Sequence, residues 1–117
     1  MERRSYPRLA VSHPVLFSTD IVPKPKPAST LNLSMGGAAI ETSHSLQSGE
    51  RLEISIGIGS KVIKCKSRVV YTLRGDGDRL MAGLKFEEIS EEDSLYLKEY
   101  ISSVIGRRDQ TSAPSDV

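Results

Sequence analysis

The chain has 117 residues, a formal net charge of +1, and 38% hydrophobic and 26% charged residues. This length suits one domain with a modest core, and this composition excludes a largely disordered chain. The near-neutral charge argues against a general nucleic-acid binder, because such proteins usually carry a strong basic excess. The single cysteine, Cys65, allows no disulfide within the chain. Since no apolar run is long enough to span a membrane and no secretion signal is found, we expect a cytoplasmic protein.

The first nine residues, MERRSYPRL, contain three arginines and a proline that disfavours helix. We predict a flexible basic arm over 1–9, for which the plain alternative is a solvated basic terminus. A β-prone run at 14–19 predicts the first strand, and the proline-rich connector at 22–27 predicts a break after it. His13 and His44 are predicted to lie on the surface.

Two polar residues and two glycines follow one another in the stretch TLNLSMGGAAIE. Asn32 and Ser34 are two positions apart, so their side chains share a face if the stretch is a strand. Gly36 and Gly37 allow positive φ and a close approach to the backbone. This pattern favours a ligand site, and the alternative is an ordinary β-hairpin with a Gly-Gly turn.

Alternating hydrophobicity predicts the other strands. Together with those flanking the Gly-Gly pair, they cover 29–34, 38–42, 52–58, 63–73 and 80–86. In the run 63–73 the apolar residues predicted to face inward include Cys65, Tyr71 and Leu73. The opposite face is predicted to be basic and carries Lys64, Lys66 and Arg68. Cys65 is predicted to fill the core, because no base adjoins it. In the last strand the residues predicted to face outward are Met81, Gly83 and Lys85.

A helix is predicted after the last strand, with Ser90 as its N-cap and an acidic first turn. Apolar residues at helical spacing follow, and the helix is predicted to end at Gly106 as a C-cap. We therefore expect a barrel with its helix over 10–107 and a disordered tail over 108–117. Six strands and one helix predict an all-β fold, a six-stranded antiparallel β-barrel with a C-terminal α-helix, because closure removes exposed strand edges.

The chain has no motif typical of a catalytic or metal site, so we expect neither an enzyme nor a cofactor. Arg4 and Arg8 form the pattern RxxxR, and Asn32 begins the pattern NxSxxG 24 residues after Arg8. These motifs, with the closing AGLKF, resemble the PilZ domain family, bacterial receptors for the second messenger cyclic di-GMP, whose signatures are RxxxR and (D/N)xSxxG. The resemblance covers residues 2 to about 107 and implies the same barrel.

The resemblance also implies a ligand site. The motif positions that carry over are Arg4, Arg8, Asn32, Ser34 and Gly37. Gly36 is added because it bares the backbone amides, and Gly83 and Lys85 of the last strand complete the set. In the family, an arginine directly before RxxxR accompanies two intercalated cyclic di-GMP molecules, so Arg3 joins the site and one or two ligands are expected. Guanidinium groups suit this ligand because they pair with phosphate and guanine and stack on bases.

The predicted function is that of a cyclic di-GMP receptor or adaptor, as a monomer or weak homodimer. Its arm would become ordered on ligand binding and present a surface to an effector protein in motility, polysaccharide synthesis or transcription. One alternative is a ligand-independent scaffold of the same fold. The other is a nucleic-acid binder that uses the basic face, although few aromatic residues are present to stack on bases.

Overall fold

The computed structural model describes residues 8–21 and 23–112, with side chains described up to residue 106. Its elements are β1 (Pro14–Ser18), β2 (Lys26–Leu33), β3 (Gly37–Thr42), β4 (Arg51–Ile58), β5 (Lys61–Arg74), β6 (Leu80–Ile89) and α1 (Glu91–Ser112). The strands pair antiparallel in the order β1-β2-β3-β6-β5-β4, and β4 closes the barrel on β1. This confirms the predicted all-β class and the six-stranded antiparallel barrel with a C-terminal helix.

Strict alternation along the strands builds the barrel core. In β4, every second residue is at most 2% exposed, namely Leu52, Ile54, Ile56 and Ile58. Cys65 of β5 lies in the same core at 7% exposure. Burial raises the pKa of the Cys65 thiol to about 11, so the thiol stays protonated at neutral pH. The predicted core position of this cysteine is confirmed.

The helix α1 covers one side of the barrel and is held by polar contacts. Ser90 is the N-cap, since its Oγ accepts a hydrogen bond from the Asp93 amide at 3.1 Å. The Asp93 carboxylate accepts one from the Lys64 amide at 2.9 Å, and the Tyr96 hydroxyl donates one to the Ile58 carbonyl at 2.8 Å. The buried apolar residues of the helix are Leu97, Ile101 and Val104.

The predicted end of the helix at Gly106 is wrong. The helix continues through Gly106 to Ser112. Gly106 is not among the positive-φ glycines, so the chain does not leave the helix there. A single glycine lowers helix stability by only about 1 kcal/mol, which the residues that follow can offset. The last part of the predicted tail, 113–117, lies outside the described residues. In the described chain, no helix is long and apolar enough to cross a membrane.

Two strand predictions also need correction. β2 begins at Lys26 and so includes Pro27, although the sequence predicts a connector over 22–27. Pro27 pairs with Leu16 of β1, whereas pairing with β3 begins only at Ser29, so its missing N–H breaks no ladder on that side. In β5, Tyr71 and Leu73 are 41% and 53% exposed rather than buried. A register shift just before Tyr71 reverses the inward and outward faces.

Both histidines, predicted to lie on the surface, are only partly exposed and contact other side chains. His13 is half-buried, and its Nε2 lies 2.7 Å from the Tyr100 hydroxyl of α1 in hydrogen-bond contact. Burial lowers the pKa of His13. The ring of His44 meets that of Phe17 edge-on, with centroids 6.4 Å apart. Both rings therefore contact other aromatic side chains of the fold.

Candidate functional site

The two predicted motifs meet through Arg8 and Asn32. Arg8 Nη1 donates a hydrogen bond to Asn32 Oδ1 at 2.6 Å. The same oxygen accepts one from the Ala39 amide at 3.2 Å, so two donors hold the side-chain amide in place. Leu9 forms an antiparallel bridge with Leu33, with both N–O distances at 2.9 Å. This bridge holds Arg8 alongside β2.

The guanidinium of Arg8 has one unsatisfied group. Its Nε is buried, and among the side-chain nitrogen and oxygen atoms of the described residues it is the buried one without a hydrogen-bond partner. Leaving a buried donor unpaired costs about 1–3 kcal/mol, and more for a charged group, so such groups are rare in native folds. The arrangement therefore suits an acceptor supplied from outside the chain, such as a phosphate oxygen or a carbonyl.

Ser34 and the two glycines form a tight turn between β2 and β3. Because β2 ends at Leu33, Ser34 belongs to the turn rather than to the strand face that it was predicted to share with Asn32. Its Oγ lies 3.2 Å from both the Gly37 carbonyl and the Gly36 amide, donating to the first and accepting from the second. The Gly36 carbonyl accepts from the Phe86 amide at 2.9 Å. The turn thus uses the Gly36 amide, which was expected to face the ligand.

Gly37 is required because of a close backbone approach. A Cβ at this position would lie 2.0 Å from the Leu84 carbonyl oxygen of β6. The positive-φ glycines of the described chain are Gly49, Gly59 and Gly77, so the Gly36-Gly37 turn does not use the positive φ that the sequence suggested. Its glycines contribute the absence of a side chain instead.

A patch of sheet almost free of side chains adjoins Asn32. Asn32, Ala39, Gly83 and Tyr71 are in register across β2, β3, β6 and β5, and Gly37 lies two residues before Ala39 on the same face. We call Gly37, Ala39 and Gly83 the bare patch. Arg8 and Asn32 border one side of it, and Tyr71 borders the other. All three residues of the bare patch are buried, and none has a side chain larger than a methyl group.

Tyr71 was not predicted to belong to the site. Its ring lies against Gly83, where a Cβ would be 2.0 Å from Tyr71 Cε2. This contact buries Gly83, which was predicted to face outward. Aromatic residues in sheets often cover a glycine on the neighbouring strand. A search of the sequence for an aromatic residue that could pair with Gly83 would therefore have pointed to Tyr71. The pairing needs the bulge in β5, which alternation alone does not show.

The predicted basic face is largely neutralised by carboxylates. Arg68 Nε lies 2.9 Å from Glu87 Oε2, and this hydrogen bond lowers the pKa of Glu87. Lys66 Nζ lies 3.8 Å from Glu88. Exposed Lys85 stands opposite Gly37, next to the bare patch. The positive charge of Lys85 therefore lies beside the bare patch, whereas Lys66 and Arg68 on β5 are paired with carboxylates.

Arg3 and Arg4 lie outside the described residues, so their part in the site stays a prediction. Of the predicted site residues that the structure describes, most gather around the bare patch, which they border or form. These are Arg8, Asn32, Gly36, Gly37, Gly83 and Lys85. Ser34 is 5% exposed, and its hydroxyl stabilises the turn through the Gly36 amide and the Gly37 carbonyl.

The fold and the site together define a small β-barrel domain with a candidate anion site on its outer face. A family model described as the PilZ domain matches residues 2–103, so this chain belongs to the PilZ domain family. The family suggested by the two motifs is thereby confirmed. A search of curated protein sequences found no significant match.

Several solved structures share the fold. The Bacillus subtilis inhibitor of motility (MotI/DgrA) aligns with TM-score 0.78 and 23% identity over 92% of this chain and 54% of that chain. The PilZ domain of YcgR from Escherichia coli, solved with cyclic di-GMP, aligns with TM-score 0.75 and 17% identity. The alignment covers 96% of this chain and 98% of that domain. MrkH, described as a transcription regulatory factor dependent on cyclic di-GMP, aligns with TM-score 0.72 and 15% identity. The alignment covers 88% of this chain and 51% of MrkH. This chain thus spans about half the length of MotI/DgrA and MrkH.

Proposed function

We propose that this protein is a cyclic di-GMP receptor whose site is the bare patch with Arg8, Asn32 and Lys85. The observation that carries the proposal is the buried, unpaired Nε of Arg8, whose partner Asn32 adjoins the bare patch of Gly37, Ala39 and Gly83. Membership of the PilZ domain family and the YcgR domain solved with cyclic di-GMP support the same ligand.

The chemistry of the ligand matches the groups present. Cyclic di-GMP carries two phosphates and two guanines, and a guanidinium pairs with a phosphate or with guanine O6 and N7. Arg8 Nε and its second Nη supply donors, and the Asn32 amide adds another. A guanine placed over Ala39 would have at its edge the Tyr71 ring, which covers Gly83, while Lys85 offsets phosphate charge.

Titration calorimetry tests this proposal most simply. Cyclic di-GMP is expected to bind with a defined stoichiometry, while a single-stranded oligonucleotide of similar charge is expected to give no saturable heat. Binding of the oligonucleotide alone would favour the nucleic-acid alternative. Binding of neither would favour the ligand-independent scaffold, against which the unpaired Arg8 Nε argues.

The arm is proposed to close over the ligand. Arg4 stands one RxxxR spacing before Arg8, whose place beside Asn32 is fixed by the Leu9 bridge. Ligand would then order residues 1–7 and create a surface for an effector protein, as the motility and transcription roles of MotI/DgrA and MrkH suggest. Hydrogen exchange of residues 1–7 is expected to slow when cyclic di-GMP is added. Equal exchange with and without ligand would contradict arm closure.

Arg3 is proposed to set the stoichiometry at two intercalated ligands per chain. A stacked pair brings four phosphate charges to one site, and a third guanidinium offsets their repulsion and stacks on the outer base. Calorimetry at high ligand concentration is expected to give two ligands for the wild type and one for Arg3→Leu. One ligand at saturation in the wild type would refute the role of Arg3.

A further inference from the structure

The last residues of β5 extend beyond the end of β4, which is the neighbouring strand on one side. β4 pairs with β5 only as far as Arg68, and Val69 is bonded on that side to Glu50 and Gly49. The Ser48 hydroxyl then reaches the Val70 carbonyl at 3.3 Å. Val70 lies in the register shift of β5, and from Tyr71 to Arg74 the ladder continues with β6 alone, with no described strand on the other side. We call Val70–Arg74 the free edge.

The backbone groups at the free edge can be assigned from the hairpin. The Gly75 amide donates to the Arg79 carbonyl at 2.9 Å. Hydrogen-bonded pairs in an antiparallel ladder recur at every second residue. Counting back from the Gly75–Arg79 pair, Leu73 of β5 is therefore hydrogen-bonded to Met81 of β6. The intervening peptide groups, those of Thr72 and Arg74, therefore point away from β6. They present donors and acceptors at the spacing of a strand.

Among the side chains at the free edge, only that of Arg74, at its end, is charged. Of the eight exposed large hydrophobic residues in the described chain, three are consecutive or nearly so in this segment, namely Val70, Tyr71 and Leu73 at 48%, 41% and 53% exposure. Natural proteins usually shield a strand edge with charges, proline or a bulge that turns it away. Val70 to Leu73 have no charge and no proline and all suit a strand, and the bulge of β5 lies before Tyr71 rather than within the paired residues 71–74.

We propose that the free edge binds an extended segment of a partner protein by strand addition, with apolar side chains of that segment packed on Tyr71 and Leu73. The free edge is about 17 Å long at the rise of a strand. That length is too short to bury the roughly 800 Å² per partner of a stable symmetric dimer, so a flexible segment fits it better than a second copy of this chain. The proposal goes beyond ligand binding and does not depend on it.

The test uses the full chain without cyclic di-GMP and a displayed library of short random peptides. The enriched peptides are expected to alternate apolar and polar residues and to lack a central proline. The most enriched peptide, made synthetically, is expected to shift the amide NMR signals of Thr72 and Arg74. Thr72→Pro removes the outward amide and is expected to weaken its binding by about 10-fold, whereas Thr72→Ala keeps the amide and the affinity.

Three results would overturn the proposal. They are the absence of any enriched peptide, peptide-induced shifts confined to other surfaces, and equal affinity of the proline and alanine variants. Self-association that Thr72→Pro abolishes would show a second copy as the occupant and would equally overturn it. The shift map is measured on the wild type, so the test stands even if Thr72→Pro folds poorly. Because no cyclic di-GMP is present, failure here leaves the ligand titration unaffected.

Discussion

The barrel is joined to its helix and to its arm in two different ways. At the helix junction, the Tyr96 hydroxyl, the Asp93 carboxylate and the Ser90 hydroxyl each have a defined partner. At the arm junction, among the described residues, Arg8 Nη1 donates a hydrogen bond to Asn32, whereas its buried Nε has no partner. Satisfied polar groups contribute to folding, whereas an unsatisfied one is available for binding. We therefore expect mutations at the two junctions to separate stability from affinity.

The largest effect is expected from Leu97→Ala at the helix junction. Leu97 is fully buried, so truncation should lower the free energy of unfolding by about 2–5 kcal/mol. Urea unfolding measures this loss. Affinity for cyclic di-GMP, measured well below the Tm, should stay at the wild-type value. A parallel loss of affinity would show that the two junctions are not independent.

Arg8→Ala should have the opposite signature. Loss of charge-assisted hydrogen bonds worth about 1.5–3 kcal/mol should weaken cyclic di-GMP binding roughly 10- to 150-fold. The Tm should change little, because the variant also removes a buried unpaired group. The exposed Arg74 offers a matched control, since Arg74→Ala removes the same charge three ladder positions from the Tyr71–Gly83 pair. Equal titration curves for wild type and Arg8→Ala would disprove the site.

Ser90→Ala should give a smaller effect at the helix junction. It removes the N-cap bond to the Asp93 amide, which should cost about 1 kcal/mol of unfolding free energy. Ser90→Asp, another good N-cap residue, is the control and should restore most of the stability. Thermal unfolding of both variants checks this, and a Tm loss in Ser90→Asp equal to that in Ser90→Ala would argue against capping.

The smallest effect concerns the pH dependence of stability through His13. Burial lowers the pKa of His13 in the folded protein below the ordinary value of 6.5, so the folded state binds fewer protons than the unfolded state. Its contribution is complete above pH 6.5 and is lost as the pH falls below that value. Urea unfolding from pH 8 to pH 5 should show a shallower acid loss for His13→Gln than for the wild type. Identical slopes would assign the acid loss to other groups.

Sequence reasoning located the fold well because its signals were local. The alternation from Leu52 to Ile58 defines a strand whose inner face is fully buried, and Ser90 caps the helix as predicted. It failed where pairing decides the outcome. Pro27 fits in β2 because only one side of the strand is paired at that point. The outward positions of Tyr71 and Leu73 follow from a register shift.

The candidate site was predictable in its residues and less so in its geometry. The two motifs named Arg8 and Asn32, and the structure brings these side chains to 2.6 Å. The use of the Gly36 amide within the turn and the Tyr71 ring on Gly83 depend on contacts between distant strands. Spacing along the chain carries no information about such contacts. Only the three-dimensional pairing reveals the bare patch.

The central claim is that the Arg8 Nε–H donates to bound cyclic di-GMP, and its own NMR signal tests this most directly. In nitrogen-15-labelled protein, the signal can be assigned by its absence from Arg8→Lys. Saturation with cyclic di-GMP should shift this signal downfield and slow its exchange with water, because the unpaired donor gains an acceptor. A signal with unchanged shift and exchange at saturation would contradict the account.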